Sequence, residues 1–515
     1  MIIEEYQKKR DTNNLEEFFT GIENKLTFPS LDEKSRFITC LLNDLQEKNW
    51  DETTQAKALS TIRILGRDTA GSDPIFTKET MQFFINLAGL HTDEPKETAS
   101  SCEALKCIAN SIYLKPDLKE CLDSEIISLH KLVLGDNPSQ DTQFLVCRIL
   151  FFMTVNRADL VTQLINDSIE KTLEKILTRN VSILEKQDKP LEQQTLINPV
   201  TVTSEALKLL FNLMLVDLRN QTDPQTTAER FKQCLVPIFH ILYEIPPAEP
   251  QPMVPPHSQA IHALMQYPFS VIQEVWRSQT EWTSTLYNTL EEGVQITANL
   301  FFNLLNKSVH ALIPNGNPDD DALDHQYQQI DSILSPLLLV IRTLAEGNPA
   351  VRECLAEKML PSEEDRLRPV HQGDKLPAYM IRLMTSTMLP QTRNAICETY
   401  FVLCDEDANK FTQQVGYGNA IGFLVNKGIP MEPPKDSNSG NDNINPITGQ
   451  YLSAEDTGPS LADMTDEEKE REAEKLFVLF ERLKKTGIVD VENPVAKAMR
   501  EGKLEEIQDE DSDSD

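Results

Sequence analysis

Glycine is scarce in this sequence, with 18 in 515 residues, and only 7 % of it is aromatic. A sandwich or barrel of many short strands uses glycine in its turns and aromatics on its pleated faces, so this shortage argues against a β architecture. Uninterrupted apolar runs of about 18 residues, the length a membrane-spanning helix requires, are also missing. The opening MIIEEYQKKRDTNNLEEFF lacks the basic-then-apolar order of a secretory signal. No lipidation box opens or closes the chain. These absences lead us to expect no direct membrane insertion.

Cysteine is present but unpatterned. Nine are scattered through apolar segments, among them Cys102, Cys107, Cys147, Cys234, Cys397 and Cys404, and none forms CxxC. An odd count in helical context reads as free thiols in a reducing compartment, so the expected location is cytoplasmic. Positive charge is short as well: 49 basic residues against 81 acidic give a net charge of −32. Such a balance repels nucleic acid and anionic membrane unless basic residues are gathered on one face. No nucleic-acid partner is expected.

Catalytic motifs are missing in turn. There is no GxGxxG, no GxxxxGK[ST], no GxSxG in its required context and no HExxH. His257 and His262 lie five apart near prolines and read as surface or core imidazoles. The expectation is a chain with no catalytic residues, cofactor or metal of its own.

What the sequence does contain is helical periodicity. Hydrophobic residues make up 40 %, mostly Leu, Ile, Val and Ala at helical spacing, as far as about residue 430. Polar or proline-bearing breaks interrupt it at GSDP (71–74), DNPSQD (136–141), LINPVT (196–201), EIPPAEPQPMVPPHS (244–258) and IPNGNPDDD (313–321). The proline-rich break reads as an exposed loop between helices, since the pattern resumes at once after it. An internal echo is visible: EALKCIAN (103–110) and EALKLLFN (205–212), with RILFFMT (148–154) between them and ALSTIRILGRD before them. A recurring helix with one apolar face and Asn near its end is an armadillo-type pattern, and such units bury that face by stacking. The predicted fold is all-α: an armadillo/HEAT-like right-handed superhelical solenoid over 1–430.

Beyond residue 430 the composition shifts. Residues 431–463 are polar, with Asn and Pro, and read as a flexible linker. A separate amphipathic helix is predicted over 464–487. Thr465 and Glu468 make a capping box, Lys484 and Lys485 fall in the last turn, and Gly487 stops it. Leu476, Phe477, Phe480 and Leu483 form its apolar stripe, with Ala473. Isolated helices gain little stability alone, so this one must dock on the solenoid or on a partner. Residues 488–515 read as an acidic, disordered tail.

The candidate binding residues are cations and amides on the repeating helices. Arg63 and Arg67 lie four apart on one helical face, as do Lys106 and Asn110, and Lys208 and Asn212, while Arg148 and Arg157 flank RILFFMTVNRADL. In so acidic a chain, a basic stripe in a groove would focus its field on an acidic segment or a C-terminal carboxylate, and Asn could hold a peptide backbone. Spacing alone leaves equally open that these cations are solvated faces pairing with neighbouring glutamates.

The segment RLMTSTMLPQTRNAICETYFVLCDEDANKFTQQVGYGNAIGFL (382–424) resembles the synembryn family, most distinctively at Phe401–Cys404, Phe411 and Gly416–Ala420. EALKCIAN, RILFFMTVNRADL, EALKLLFN, INPITG (444–449) and MTDEEKEREAEKL (464–476) are similar too, and in the same order. The resemblance implies a monomeric cytosolic solenoid that is an exchange factor and folding chaperone for G-protein α subunits, GDP-bound, nucleotide-free or nascent. It implies that a concave groove takes the C-terminal helix of the α subunit through Arg63, Arg67 and Asn110, while Thr465–Lys485 braces the nucleotide-binding domain. Recruitment to the plasma membrane would then come through the partner. The acidic Ser/Thr runs of animal members are thin here; Ser439, Ser453, Ser512 and Ser514 are the phosphorylation candidates. The competing reading is an armadillo-type adaptor for cargo peptides. It calls for repeated Trp–Asn pairs, and the three tryptophans, Trp50, Trp276 and Trp282, adjoin neither Asn110 nor Asn212.

Overall fold

The structure is a computed structural model; it describes residues 2–11, 14–22, 26–92, 94–135, 137–186, 196–220, 223–277, 289–429, 444–445 and 448–454, with isolated positions 465, 469 and 471. Among these residues the elements are all helical, apart from one antiparallel bridge between Ile444 and Tyr451. The chain forms two compact units, Met1–Asn288 and Thr289–Asp515.

In the first unit, polar caps start the helices at the breaks legible in sequence. Helices α1 (Ile2–Asp11), α2 (Leu15–Ile22) and α3 (Leu31–Glu47) open it. Asp51 then caps α4 (Glu52–Leu65), accepting from the Thr54 amide. Thr77 caps α5 (Lys78–Leu87). Thr98 and Ser101 cap α6 (Ala99–Leu114) reciprocally. After a 3₁₀ stretch (Pro116–Glu125) and α7 (Ile126–Lys131), Ser139 caps α8 (Gln140–Thr154). Next come α9 (Ala158–Asn166) and α10 (Ile169–Glu185), then α11 (Pro199–Asn220), which Asn198 and Thr201 open by exchanging bonds of 3.1 and 2.9 Å. Each cap satisfies amides that the first turn leaves without intrahelical partners. The unit closes with α12 (Pro224–Arg230), α13 (Leu235–Glu244), α14 (His257–Leu264) and α15 (Phe269–Arg277).

These helices sort into two rows. In the front row α4, α6, α8, α11 and α14 pack side by side in that order; behind them α5, the 3₁₀ stretch, α7, α9, α10 and α13 pack on each other and on the front row. Helices α4, α6 and α8 run parallel, since they are joined at matching levels. Glu52 accepts from the Ser100 amide at 2.6 Å, and the Cys107 thiol reaches the Leu59 carbonyl at 3.5 Å. Cys102 and Thr142 meet near the starts of α6 and α8, and the Tyr113 and Phe152 rings near their ends. The core lies between the rows, where Ile62, Phe84, Ile108, Leu150, Leu173, Leu210 and Phe239 are buried. Long, apolar α11 has the composition of a membrane-spanning helix, yet 72 % of its most apolar window is buried inside the protein. The 244–258 break is the connection between α13 and α14, which pack together, so helical packing continues across it.

The second unit holds α16 (Leu290–Leu312), α17 (Tyr327–Gly347), α18 (Pro349–Met359), α19 (Leu376–Met384), α20 (Pro390–Leu403), α21 (Ala408–Val415) and α22 (Tyr417–Asn426). The FVLC…F…GYGNA motif is a packing device. Phe401, Phe411 and Phe423 form a triangle with ring centroids 5.7 to 5.8 Å apart. Gly416, at φ +84°, turns the chain sharply from α21 into α22, a conformation that favours glycine.

Within the stretch expected to be a flexible linker, the described residues are docked. Arg366 is buried and donates to the carbonyls of Gln413 and Gly449 and to the side chain of Gln414. Tyr451 donates its amide to the Arg366 carbonyl, and Val370 to that of Thr448. Gly449, at φ +70°, closes the turn against Val370, where a Cβ would fall 3.1 Å from both methyls. The polar composition of the segment conceals this, because these anchoring bonds run through backbone groups: the Gly449 carbonyl on the desolvated Arg366 guanidinium, the Tyr451 amide and the Thr448 carbonyl.

Candidate functional site

The open side of the front row carries Arg63, Lys106, Arg148 and Lys208, and it holds each of them in an ion pair. Arg63 on α4 donates through Nε to Glu103 Oε2 on α6 at 2.9 Å, and through Nη2 to Ser60 at 3.0 Å. The other Glu103 oxygen takes Lys106 Nζ at 2.9 Å, and Lys106 also reaches Asp141 on α8 at 3.2 Å. Burial works to lower the Lys106 pKa, but the bonds to Glu103 and Asp141 outweigh it and the net shift is upward. The second EALK segment repeats the arrangement. Arg148 Nη2 on α8 lies 3.5 Å from Glu205 Oε1 on α11, and Lys208 Nζ lies 2.9 Å from the same oxygen. Arg148 is stacked over the Phe144 ring, 4.8 Å from its centroid.

Position decides what the remaining residues can do. Arg67 lies just past the end of α4, exposed, with no side-chain partner among the described residues. Asn110 is half-buried on the open face and equally unpartnered. Asn212 is not like it: its amide donates to Thr154 Oγ1 at 2.7 Å and only 7 % of the residue is exposed, so it ties α11 to α8. Arg157 is also drawn away from the face. It starts α9 and binds Asp123 in bidentate fashion at 3.1 and 2.9 Å, together with Asp159, and these bonds hold its pKa above the usual range. Leu476, Phe477, Phe480, Leu483, Ser439, Ser512 and Ser514 lie outside the described residues. Ser453 is exposed in the short turn Leu452–Ala454 that follows the docked segment.

Two features of the face escape a reading of the sequence. One is an apolar strip at the C-terminal ends of α6 and α8: Tyr113, 68 % exposed, lies against Phe152, with Phe151 beside it. RILFFMT is apolar around most of its circumference, so periodicity does not tell which phenylalanines face outward. The other is a groove of about 650 Å³ toward the N-terminal ends of α4, α6 and α8, lined by Lys57, Ser60, Cys102, Glu103, Lys106 and Asp141. The face is therefore ionic along one side and aromatic along the other.

The thiols are all free, with Cys107, Cys147, Cys234, Cys397 and Cys404 buried and Cys40, Cys102, Cys121 and Cys354 half-buried. Burial raises the pKa of each buried one, to about 12 for Cys397 and Cys404, so they are inert as nucleophiles while folded. Among the described residues no group of His, Cys, Asp and Glu is arranged to hold a metal ion.

The described residues thus make an all-helical protein whose first unit is a double row of helices with one open face. The sequence matches the family described as guanine nucleotide exchange factor synembryn (Ric8) over residues 58–503, and the chain belongs to that family. Relatives named Chaperone Ric-8A are 26 % identical over 500 residues in Pongo abelii, covering 91 % of this chain and 87 % of the relative. In Gallus gallus the figure is 25 % over 493 residues, 89 % of this chain and 86 % of the relative. In Rattus norvegicus it is 25 % over 537 residues, 97 % and 93 %.

Proposed function

We propose that this chain is a guanine nucleotide exchange factor and folding chaperone for heterotrimeric G-protein α subunits. The observation that carries the reading is the front-row face, whose ionic and aromatic halves suit an amphipathic helix, in a chain of the synembryn family. The helix rows are the turns of an armadillo/HEAT-like solenoid, and the face is its concave groove. The groove takes the C-terminal helix of the α subunit: Arg63 and Arg67 meet its carboxylates, Asn110 its backbone, and Tyr113, Phe151 and Phe152 its apolar side. The segment 464–487 braces the nucleotide-binding domain with Leu476, Phe477, Phe480 and Leu483. The chain acts as a cytoplasmic monomer and visits membranes only through its partner.

No bond is made or broken by this protein. An α subunit holds guanine partly through a loop joined to its C-terminal helix. A groove that accepts the helix only when it is displaced converts binding energy into loosening of the nucleotide site, and by linkage GTP drives the complex apart. Accelerating release a thousandfold takes about 4 kcal/mol of differential binding. The same contacts protect a nucleotide-free, incompletely folded α subunit, which is chaperoning by mass action.

The test is release of fluorescent GDP from a purified α subunit, with the full chain and with a chain ending at residue 463, which keeps the segment docked on Arg366. Faster release that depends on the C-terminal segment supports exchange and bracing together. A stable complex without acceleration leaves the chaperone, and absence of any complex overturns the reading.

A further inference from the structure

The two EALK segments build the same cluster twice: one carboxylate, fixed low on the face, holding an arginine from the preceding row helix and the lysine one turn ahead. In the first, Glu103 holds Arg63 and Lys106; in the second, Glu205 holds Arg148 and Lys208. The glutamates sit beneath their cations. Glu205 is 5 % exposed by side chain while Arg148 and Lys208 are each 39 % exposed, and Glu103 is the most covered member of its cluster. Each cluster therefore shows solvent two cations above a carboxylate more covered than they are, and in the first Lys106 also pairs with the more exposed Asp141 of α8.

From this duplicated geometry we infer that Glu103 and Glu205 are internal competitors for the groove's cations, setting an upper limit on how tightly an acidic partner segment is held. The inference rests on the groove reading above. A carboxylate from a bound helix must share Arg63, Lys106, Arg148 and Lys208 with acids already bonded to them, and it meets repulsion from each buried charge. A purely stabilising pair would need only one cation; here a single carboxylate spans two, drawn from different helices, at the surface where a ligand would lie. An exchange factor has to let its product go, and a groove of uncompensated cations would hold an acidic helix too long. Glu103 and Glu205 are thus positioning residues that act through the cations.

The experiment measures complex formation between the full chain and a purified, nucleotide-depleted α subunit by titration calorimetry at low and physiological salt. Replacing both acids by their isosteres, Glu103→Gln with Glu205→Gln, is expected to tighten binding about tenfold, to steepen its salt dependence and to slow GTP-driven release. A merely structural pair would weaken binding on loss, so unchanged or weaker affinity in a variant with an unaltered melting curve overturns the inference. If the double variant does not fold, Glu103→Gln alone, at the more exposed site, is expected to tighten binding about threefold, and unchanged or weaker affinity there overturns the inference equally. If the unsubstituted chain forms no complex with the α subunit, the functional reading has failed; the same variants are then titrated with a poly-glutamate peptide, where equal affinity overturns the inference.

Discussion

Asn212 donates its side-chain amide to Thr154 Oγ1 at 2.7 Å, and Thr154 in turn donates to the Leu150 carbonyl of its own helix, also at 2.7 Å. This chain of bonds locks α11 to α8 beneath the front-row face. Asn110, at the matching place in the first EALK segment, makes no such bond. Asn212→Ala leaves a buried hydroxyl short of a donor and should cost about 1–2 kcal/mol in urea unfolding. Asn110→Ala should stay within about 0.5 kcal/mol of the parent, yet weaken binding of the α subunit.

Arg63 and Arg67 separate in the same way. Arg67→Glu removes an exposed cation without a partner, so the melting curve should not move, while affinity for the α subunit falls and its salt dependence flattens. Arg63→Gln also breaks the bond to Glu103 and should cost roughly 0.5–1 kcal/mol of stability besides. Full affinity in a folded Arg67→Glu chain would remove that residue from the groove.

The aromatic strip gives a test free of charge effects. Tyr113 is largely in solvent, so Tyr113→Ala should leave folding intact but weaken binding of the α subunit roughly tenfold, with no change in its salt dependence. Calorimetry at two salt concentrations reads both parts.

Acid should loosen the first unit. His257 is buried with Nε2 on the Ile245 carbonyl at 3.0 Å, and burial pushes its pKa down from 6.5 to about 4. His130, enclosed between Asp167 and Thr172, is also lowered, burial outweighing Asp167. Between pH 4 and 6.5 the unfolded chain then binds more protons than the folded one. Stability is full above pH 6.5 and falls as pH drops toward 4, by about 3 kcal/mol at most from His257. Urea midpoints measured across that range should flatten in His257→Gln.

Gly449→Val should undock the 444–454 segment, since its φ of +70° and the nearby Val370 methyls leave no room for a side chain. Arg366 then loses a carbonyl while still buried. New cleavage between 444 and 454 under limited proteolysis is the expected outcome, with the α22 side of the second unit protected as before.

The helices and their caps are legible in the sequence because they are local: Asp51, Thr98, Ser139 and the helical spacing behind them need no distant partner. The repetition of EALK is legible too, since Glu and Lys three apart face one another on any helix. Which arginine each glutamate takes is not, because Arg63 and Arg148 arrive from other helices. The placing of Asn212 and Arg157 is hidden for the same reason, their partners being set by packing. The divide near residue 288 and the docked 444–454 turn leave no compositional mark; both depend on which surfaces meet.

Several ties across the first unit span about forty residues of chain. Arg63 to Glu103 is 40 residues, Cys102 to Thr142 is 40, and His130 to Thr172 is 42. At a synthesis rate of about 5–20 residues per second, a partner forty positions on emerges in roughly 2–8 s. The pairs α4–α6 and α6–α8 can therefore close while the ribosome is still extending the next helix. If the proposed chaperone function holds, a protein that shelters unfinished chains would need little sheltering in the first part of its own manufacture.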